Sequence, residues 1–541
     1  MLTTVKKKLL RSKIFIHLDG LVCVPTCAVL HEVGVTEFIL KNKQINVTQL
    51  SEEFKANEGY LNVALHVLSS QGWLKQEISD DGSQCNYTLT ENGEFAFPYF
   101  HLYKEANELL RFTEKFHPRR FEVEPFRFWE KIANEHKNSY GLDTKTVGDI
   151  NVSRILDHIE GVLAGPSIVH LAMNGMFHKY FMEASFKAEE FHRHPECFEV
   201  LLDFFTDLGW FEKTNDTYRF TDKGIFFAKR AGAYGVTVSY IPTLRNLKEL
   251  IFGDPNCLRQ EQPGETERHV DREMNVWGSG SAHTAYFEEV DRILIDIFNQ
   301  PIENQPKGLL DMGCGNAAFL IHAFDVIERQ TLRGKHLEDQ PLILVGADFN
   351  KEALRVSRAN TIQADVWAKF IQADISRPDL LAQQLQKDYQ IDLSDLLNFR
   401  SFIDHNHIWQ YPEKTYHFNT PVSTGAFAYR GKRINNRDVE GSLYEHLNRW
   451  IPYISRHGLL VIELHTVPPE MTAKNLGNIA ATAYAATHGY SDQYIIEFNH
   501  FKTIAKACGL QTDDNHVKNY PNEELTTISI QLFKPAGHVS K

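Results

Sequence analysis

From residue 308 onward, short apolar runs alternate with amphipathic stretches of helical period. The runs predict strands over 308–311, 342–348, 369–374, 395–402 and 458–465, with a final pair around 516–517 and 526–533. Apolar positions recurring every three or four residues predict helices over 316–328, 351–360, 378–388, 440–454 and 492–508. Regular alternation of this kind builds a doubly wound α/β sheet. A further periodic helix is expected over 282–298, ahead of the first strand.

The first half has a different pattern. It is mostly helical and contains a diverged duplication. Pro25 to Gly34 and Pro166 to Gly175 each span nine steps. Each is followed by a helix ending in Gly-Trp (Gly72-Trp73 and Gly209-Trp210), then by a Tyr-x-(Leu/Phe)-Thr-x-x-Gly hairpin strand from Tyr87 or Tyr218. Helices followed by a small hairpin describe winged-helix-like lobes. The expected division is a first lobe over 1–102, a helical connector with second lobe and lid over 103–280, and a cofactor domain over 281–541. The polar, aromatic and glycine-rich stretch from Arg268 to Gly280 is expected to act as a lid or as a domain hinge.

A winged helix can read DNA, but the charge pattern opposes it. The candidate recognition helix over 59–74 has no Arg or Lys, and its counterpart over 197–210 carries Glu199, Asp203 and Asp207. The whole chain has a formal net charge of -13. Groove reading needs cationic phosphate contacts, so no nucleic-acid partner is expected, nor binding to an anionic membrane. One basic cluster, Lys115-Phe116-His117-Pro118-Arg119-Arg120, is read as a solvated face or a docking spot for an acidic carrier. Seven cysteines without a Cys-x-x-Cys pair suit reduced thiols and a cytoplasmic location. Lys6, Lys7 and Lys8 precede an apolar stretch over 14–24, but His17 and Asp19 interrupt it. Neither a signal peptide nor a membrane span is expected.

In doubly wound sheets ligands sit at the carboxyl ends of the strands, so the residues there define the candidate site. At the first strand end, Asp311-x-Gly313-x-Gly315 forms a glycine turn that lets backbone amides approach a nucleotide-like ligand. Ala318 supplies a third small position, so this spacing alone leaves a dinucleotide open. Asp348 ends the second strand, where a carboxylate accepts both ribose hydroxyls and Phe349 can pack on adenine. It lies beyond the roughly 20-residue spacing of a compact dinucleotide unit, because a charged insertion occupies 333–340. Asp374 ends the third strand and can accept from the adenine amino group, with Ile375 against the ring. One such acid is often only a helix cap; three in succession suit the adenosine of S-adenosylmethionine (SAM). The fourth strand end carries Arg400, Asp404, His405 and His407, the fifth His465, and His488 follows. Several histidines around one cleft can supply a base or a mixed nitrogen and oxygen set for iron or manganese; no zinc-type thiolate spacing occurs.

Six segments together resemble the SAM-dependent C-methyltransferase domains of polyketide synthase loading modules, such as those of the saxitoxin and apratoxin starter-unit enzymes. They are Val-Ser-Tyr-Ile-Pro-Thr-Leu (238–244), Glu-Arg-His-Val-Asp-Arg-Glu-Met-Asn-Val-Trp-Gly-Ser-Gly (267–280), Asp-Met-Gly-Cys-Gly (311–315), Arg-Ser-Phe-Ile-Asp-His-Asn (400–406), Ile-Glu-Leu-His (462–465) and Gly-Tyr-Ser-Asp-Gln-Tyr-Ile-Ile-Glu (489–497). The resemblance covers almost the whole chain. It implies a Rossmann-like class I SAM methyltransferase domain preceded by a mostly helical region with two winged-helix-like lobes. It implies methyl transfer from SAM to the α-carbon of a malonyl or methylmalonyl unit on an acyl carrier protein, feeding downstream polyketide synthase modules. It also implies a mononuclear iron or manganese held by His465 and Gln493, with His405 as base or substrate-orienting group beside Asp404 and Arg400. His407 stands where the family usually has a cation, which would weaken a charge contact or make it pH-dependent. The decarboxylase and carrier domains of those loading enzymes have no counterpart here, so a free-standing enzyme or an excised domain is expected. Small-molecule O-methylation without a metal is the alternative enzymatic reading, and a SAM-sensing or DNA-binding regulator the non-catalytic one.

Overall fold

Five buried positions in a row, Gly308–Met312, cannot form a half-exposed strand; they require cover on both faces. In the computed structural model, which describes residues 2–115, 123–142, 150–259 and 267–536, they form an interior strand of a seven-stranded sheet. We name its strands β1 (Gly308–Met312), β2 (Ile343–Asp348), β3 (Lys369–Gln372), β4 (Leu396–Ser401), β5 (Leu459–Leu464), β6 (Leu510–Tyr520) and β7 (Ile528–Pro535). Their order is β6-β7-β5-β4-β1-β2-β3. The first five strands run parallel, and β7 lies antiparallel to β5 and β6. Strand order reverses direction between β1 and β4, which opens a crevice at their carboxyl ends. Register sets Asp311 beside Gly346 and Phe399, and Arg400 beside Met312 and Val461.

Ten helices carry the rest of the argument: α1 (Thr4–Val33), α2 (Glu58–Ser70), α3 (Ile150–Met173), α4 (Pro195–Asp207), α5 (Gly232–Ser239), α6 (Arg272–Phe298), α7 (Ala318–Gln330), α8 (Asn436–Ile454), α9 (Ala481–Gly489) and α10 (Phe498–Ala507). One face of the sheet is covered by α6 and α7, through Val290, Leu294 and Leu320. The other is covered by α8 and α10, through Leu447, Trp450 and Ile504.

The duplication is visible as structure. Both α1 and α3 contain the repeat's proline, Pro25 and Pro166. The two helices cross at Gly20 and Gly161, where an added Cβ would sit 2.5 Å from His158 O or His17 O. Each lobe carries a three-stranded sheet, one built from Gln44–Asn46, Leu74–Ile78 and Cys85–Leu89, the other from Phe186–Lys187, Phe211–Thr214 and Thr217–Phe220. The shared Thr-x-x-Gly does more than end a strand. Thr90 and Thr221 cap the following helices by accepting from Gly93 N and Gly224 N, and donate to the carbonyls of Gly72 and Gly209.

Two expectations change. The stretch expected as a lid or hinge is helical from Arg272, capped by Asp271, and α6 runs unbroken through residue 280. Gly278 is tolerated inside it because α5 comes so close: a Cβ there would lie 2.6 Å from Val236 N. The helix expected over 492–508 starts later, as α10 at Phe498, after an irregular loop over 490–497, and α9 precedes that loop where no helix was expected. Helix α1 is long and apolar enough to cross a membrane, yet 83% of that apolar window is buried inside the protein, so it serves as a core helix. Residues 116–120 of the basic cluster lie outside the described residues.

Candidate active site

The cofactor side of the crevice is built by backbone. Gly313 (φ +83°), Gly315 (φ +53°) and Ala317 (φ +63°) take left-handed conformations in the turn from β1 to α7. At Gly313 a Cβ would also press on the Ile403 side chain, lying 2.5 Å from its Cδ1. Asp348 ends β2 and accepts from Gly315 N at 3.0 Å and Asn350 N at 2.8 Å. Burial raises its pKa; those two amides and the Arg272 guanidinium work in the opposite direction. Asp311 is buried, and burial followed by the charge of Asp348 pushes it up to about 8. Phe349 is 59% exposed, open to stack on a flat ligand. Asp374 lies just beyond β3 and accepts from Ser376 N at 2.8 Å, while buried Ile375 accepts from Trp450 Nε1 through its carbonyl. The acids of three successive strand ends therefore line one edge of the sheet.

A second group gathers beyond β4 and β5. His405 Nδ1 and Glu463 Oε1 are 2.5 Å apart, and Glu463 also accepts from Asp404 N and Leu464 N. The His405 ring meets His488 edge-on, with centroids 5.0 Å apart. His488, in the last turn of α9, has Nδ1 2.8 Å from Tyr484 O, and burial pushes its pKa down to about 3. The irregular loop brings Gln493 alongside: its backbone N–H donates to His488 O, and its Nε2 donates to Tyr240 Oη at 3.3 Å. Tyr494 N donates to His405 O, tying that loop to the β4 end.

Asp404 and Arg400 lie deeper still. Both are fully buried and ion-paired, and Arg400 stacks 4.1 Å from the Trp450 ring. His446 Nε2 adds a 2.9 Å contact to the same carboxylate. His407 stacks on His446 and uses both ring nitrogens, on Asp404 O and Ser442 Oγ; burial pushes it down to about 3. This cluster anchors the loop that presents His405. His465 is buried too, with Nδ1 near Ile496 O, Nε2 at 2.8 Å from Ser529 Oγ, and Phe498 and Phe501 against the ring. Neither of its nitrogens is open for a metal.

Among the described residues no group of three His, Cys, Asp or Glu side chains is arranged to hold a metal. The donors that do converge are two imidazoles and a carboxamide. His405 and His488 each have Nδ1 committed to an acceptor, which leaves Nε2 as the open nitrogen, and Gln493 keeps Oε1 open. Fixing a ligating histidine through its other nitrogen is the usual support of a metal ligand, so a mixed neutral set fits here.

Three domain families match in order along the chain: the AprA N-terminal domain over 10–76, the AprA winged helix domain over 160–254 and the AprA MT2-like domain over 267–531. The chain belongs to the AprA-type methyltransferases. Solved structures similar to it include an O-methyltransferase family protein from Burkholderia thailandensis, 10% identical, covering 73% of this chain and 100% of that one with a TM-score of 0.40. The mitomycin 7-O-methyltransferase MmcR is 12% identical, covering 73% and 99%, with a TM-score of 0.41. CalO1, a methyltransferase in calicheamicin biosynthesis in its SAH-bound form, is 14% identical, covering 73% and 100%, with a TM-score of 0.35. No curated protein matches the chain.

This AprA-type protein is a SAM-dependent methyltransferase with a Rossmann-like class I sheet behind helical, winged-helix-bearing lobes. Sequence reasoning gave no role to Glu463 or Tyr240. Glu463 had a signal, being an acid inside an otherwise apolar strand. Tyr240 had none, because only the packing of the lobes against the sheet brings it to Gln493.

Proposed function

We propose that this AprA-type methyltransferase methylates the α-carbon of a malonyl or methylmalonyl thioester on an acyl carrier protein. Its product would be a starter unit for downstream polyketide synthase modules, and a mononuclear iron or manganese would assist. The observation that carries the reading is the ring contact of His405 with His488, both fixed through Nδ1, with the backbone of Gln493 bound to His488 O. O-methylation of an already acidic hydroxyl would not call for so many neutral donors at one point.

When bound, SAM supplies a methyl group on a sulfonium, and a divalent metal supplies charge that favours ionisation of a carbon flanked by two carbonyls. In this reading His488 Nε2 and Gln493 Oε1 hold the metal, and His488 takes the role first given to His465, whose nitrogens are both engaged. Burial keeps His488 neutral, so its lone pair is available without a proton to displace. Tyr240 engages the Gln493 NH2 group and so turns the carbonyl oxygen to the crevice. His405 is the base: Nε2 takes the α-proton, and Glu463 supports the imidazolium through Nδ1–H. On the cofactor side, Asp311 meets the amino group, Asp348 the ribose, and Asp374 with Ile375 the adenine.

The test is intact-protein mass spectrometry of a malonyl carrier incubated with the enzyme, SAM and iron or manganese. The expected result is one or two methyl increments, lost on chelation. Methyl transfer to a small hydroxylated acceptor that persists under chelation would replace this reading with O-methylation.

A further inference from the structure

A cavity of about 220 Å³ lies directly behind the loop that carries Gln493. It is closed by Tyr60 of α2, by Arg259 and His269 of the segment between the lobes and α6, and by Arg430, Tyr490 and Ser491 of the catalytic domain. In a chain of net charge -13, two arginines line it and, among the described residues, no Asp or Glu does. Tyr240 links it to the site, with ring centroids 6.4 Å from His269 and 6.2 Å from His488.

The two arginines are not equivalent. Arg259 is neutralised by Asp492, whose carboxylate also accepts from Tyr60 Oη at 2.8 Å and Arg430 N at 2.9 Å. The Arg430 guanidinium has no such partner among the described residues; its neighbour is the Tyr429 ring at 5.3 Å. Arg430 sits at the tip of a two-residue hairpin turn with φ +50°, followed by Gly431 at φ +80°. Asn or Gly is favoured at that position, so an arginine there is retained against local preference. The Ser491 hydroxyl on the cavity wall is buried without a hydrogen-bond partner. Arg430 is exposed, so water can reach its charge, whereas the Ser491 hydroxyl is shut away; together they give the cavity wall a free cation and an unused donor, a pairing suited to an acceptor that carries negative charge.

We propose that this cavity binds an oxyanion of the thioester substrate, with Arg430 and Ser491 as its donors. The inference rests on the thioester reading above and adds a recognition subsite to it. Such a group has two sources in the substrate: the acyl carboxylate or the phosphate of the carrier's pantetheine arm.

Calorimetric titration of the full chain with pantetheine, 4′-phosphopantetheine and malonyl-pantetheine tests it without any methyl transfer. One of the two anionic probes is expected to bind about tenfold or more tighter than pantetheine. Which one does so identifies the source. Arg430→Asn, which suits the left-handed turn, should abolish that advantage, and Arg430→Lys should restore part of it. Equal binding of all three probes, no binding of either anionic probe, or an advantage that survives in Arg430→Asn would overturn the proposal. A protein that binds as expected but transfers no methyl to malonyl would instead count against the C-methylation reading.

Discussion

Glu463 and His405 face each other across the ends of two neighbouring parallel strands, 2.5 Å apart. The second Glu463 oxygen accepts from Asp404 N, so one carboxylate sets both the ring and the backbone of the loop that bears it. If His405 is the base, its removal costs more than the loss of its support. His405→Ala should lower the single-turnover methylation rate by roughly 100-fold or more. Glu463→Gln should cost about tenfold and shift the pH–rate profile, because an amide stabilises the imidazolium less. SAM affinity should stay within about twofold in both variants. Equal losses in rate and SAM affinity would show the pair to be structural.

The two candidate metal histidines separate cleanly by experiment. His488→Ala should lose bound iron or manganese by elemental analysis while its melting temperature changes little. His465→Ala should keep the metal. It should lose stability instead, by about 2–5 kcal/mol, since it opens a hole between Phe498 and Phe501 and removes one of the Ser529 hydroxyl's partners, leaving Gln531. The reverse pattern would restore the ligand set that the family resemblance implied.

If Asp311 holds the cofactor's amino group, as proposed, cofactor binding should depend on pH. Burial and Asp348 hold its carboxyl up to about 8, so it is largely protonated at neutral pH in the free protein. A cationic amino group is bound by the ionised form, so SAM affinity should rise with pH to about 8 and then level off, with a proton released on binding below that. The same shift acts on stability with the opposite slope. The folded pKa lies above the unfolded one, near 3.9, so the native state binds more protons between the two, and stability falls as pH rises through that window. Asp311→Asn should flatten both profiles, weaken SAM binding and raise thermal stability most near pH 8.

Much of this was legible in the sequence because it depends on local pattern. Apolar runs ending in Asp311, Asp348 and near Asp374 marked the parallel strands, and the paired Gly-Trp and Thr-x-x-Gly segments marked the duplicated lobes. Helix α9 escaped because it is Ala- and Thr-rich and packed on most sides, which leaves no amphipathic stripe to read. Gly278, Ser279 and Gly280 looked like a break, yet α6 passes through them because α5 leaves no room for a side chain at Gly278. That the His465 ring is engaged on both nitrogens was beyond sequence: one contact comes from Ser529, 64 positions away.

Arg400 and Asp404 were read as catalytic, and their burial points to stability instead. Burial pushes Asp404 up, but Arg400 and His446 outweigh it and hold the carboxyl well below the usual range. Removing one partner would strand a charge that has no exposure at all. Asp404→Asn should therefore destabilise the protein by about 3–5 kcal/mol, measured by denaturant unfolding at neutral pH. The double variant Asp404→Asn with Arg400→Met should recover part of that loss, because no unpaired guanidinium remains over Trp450. The folded pKa is depressed, so the carboxylate's contribution is fully present above about pH 4 and fades only in stronger acid. If Asp404→Asn left stability intact but abolished turnover with metal and SAM bound, Asp404 would regain the catalytic role.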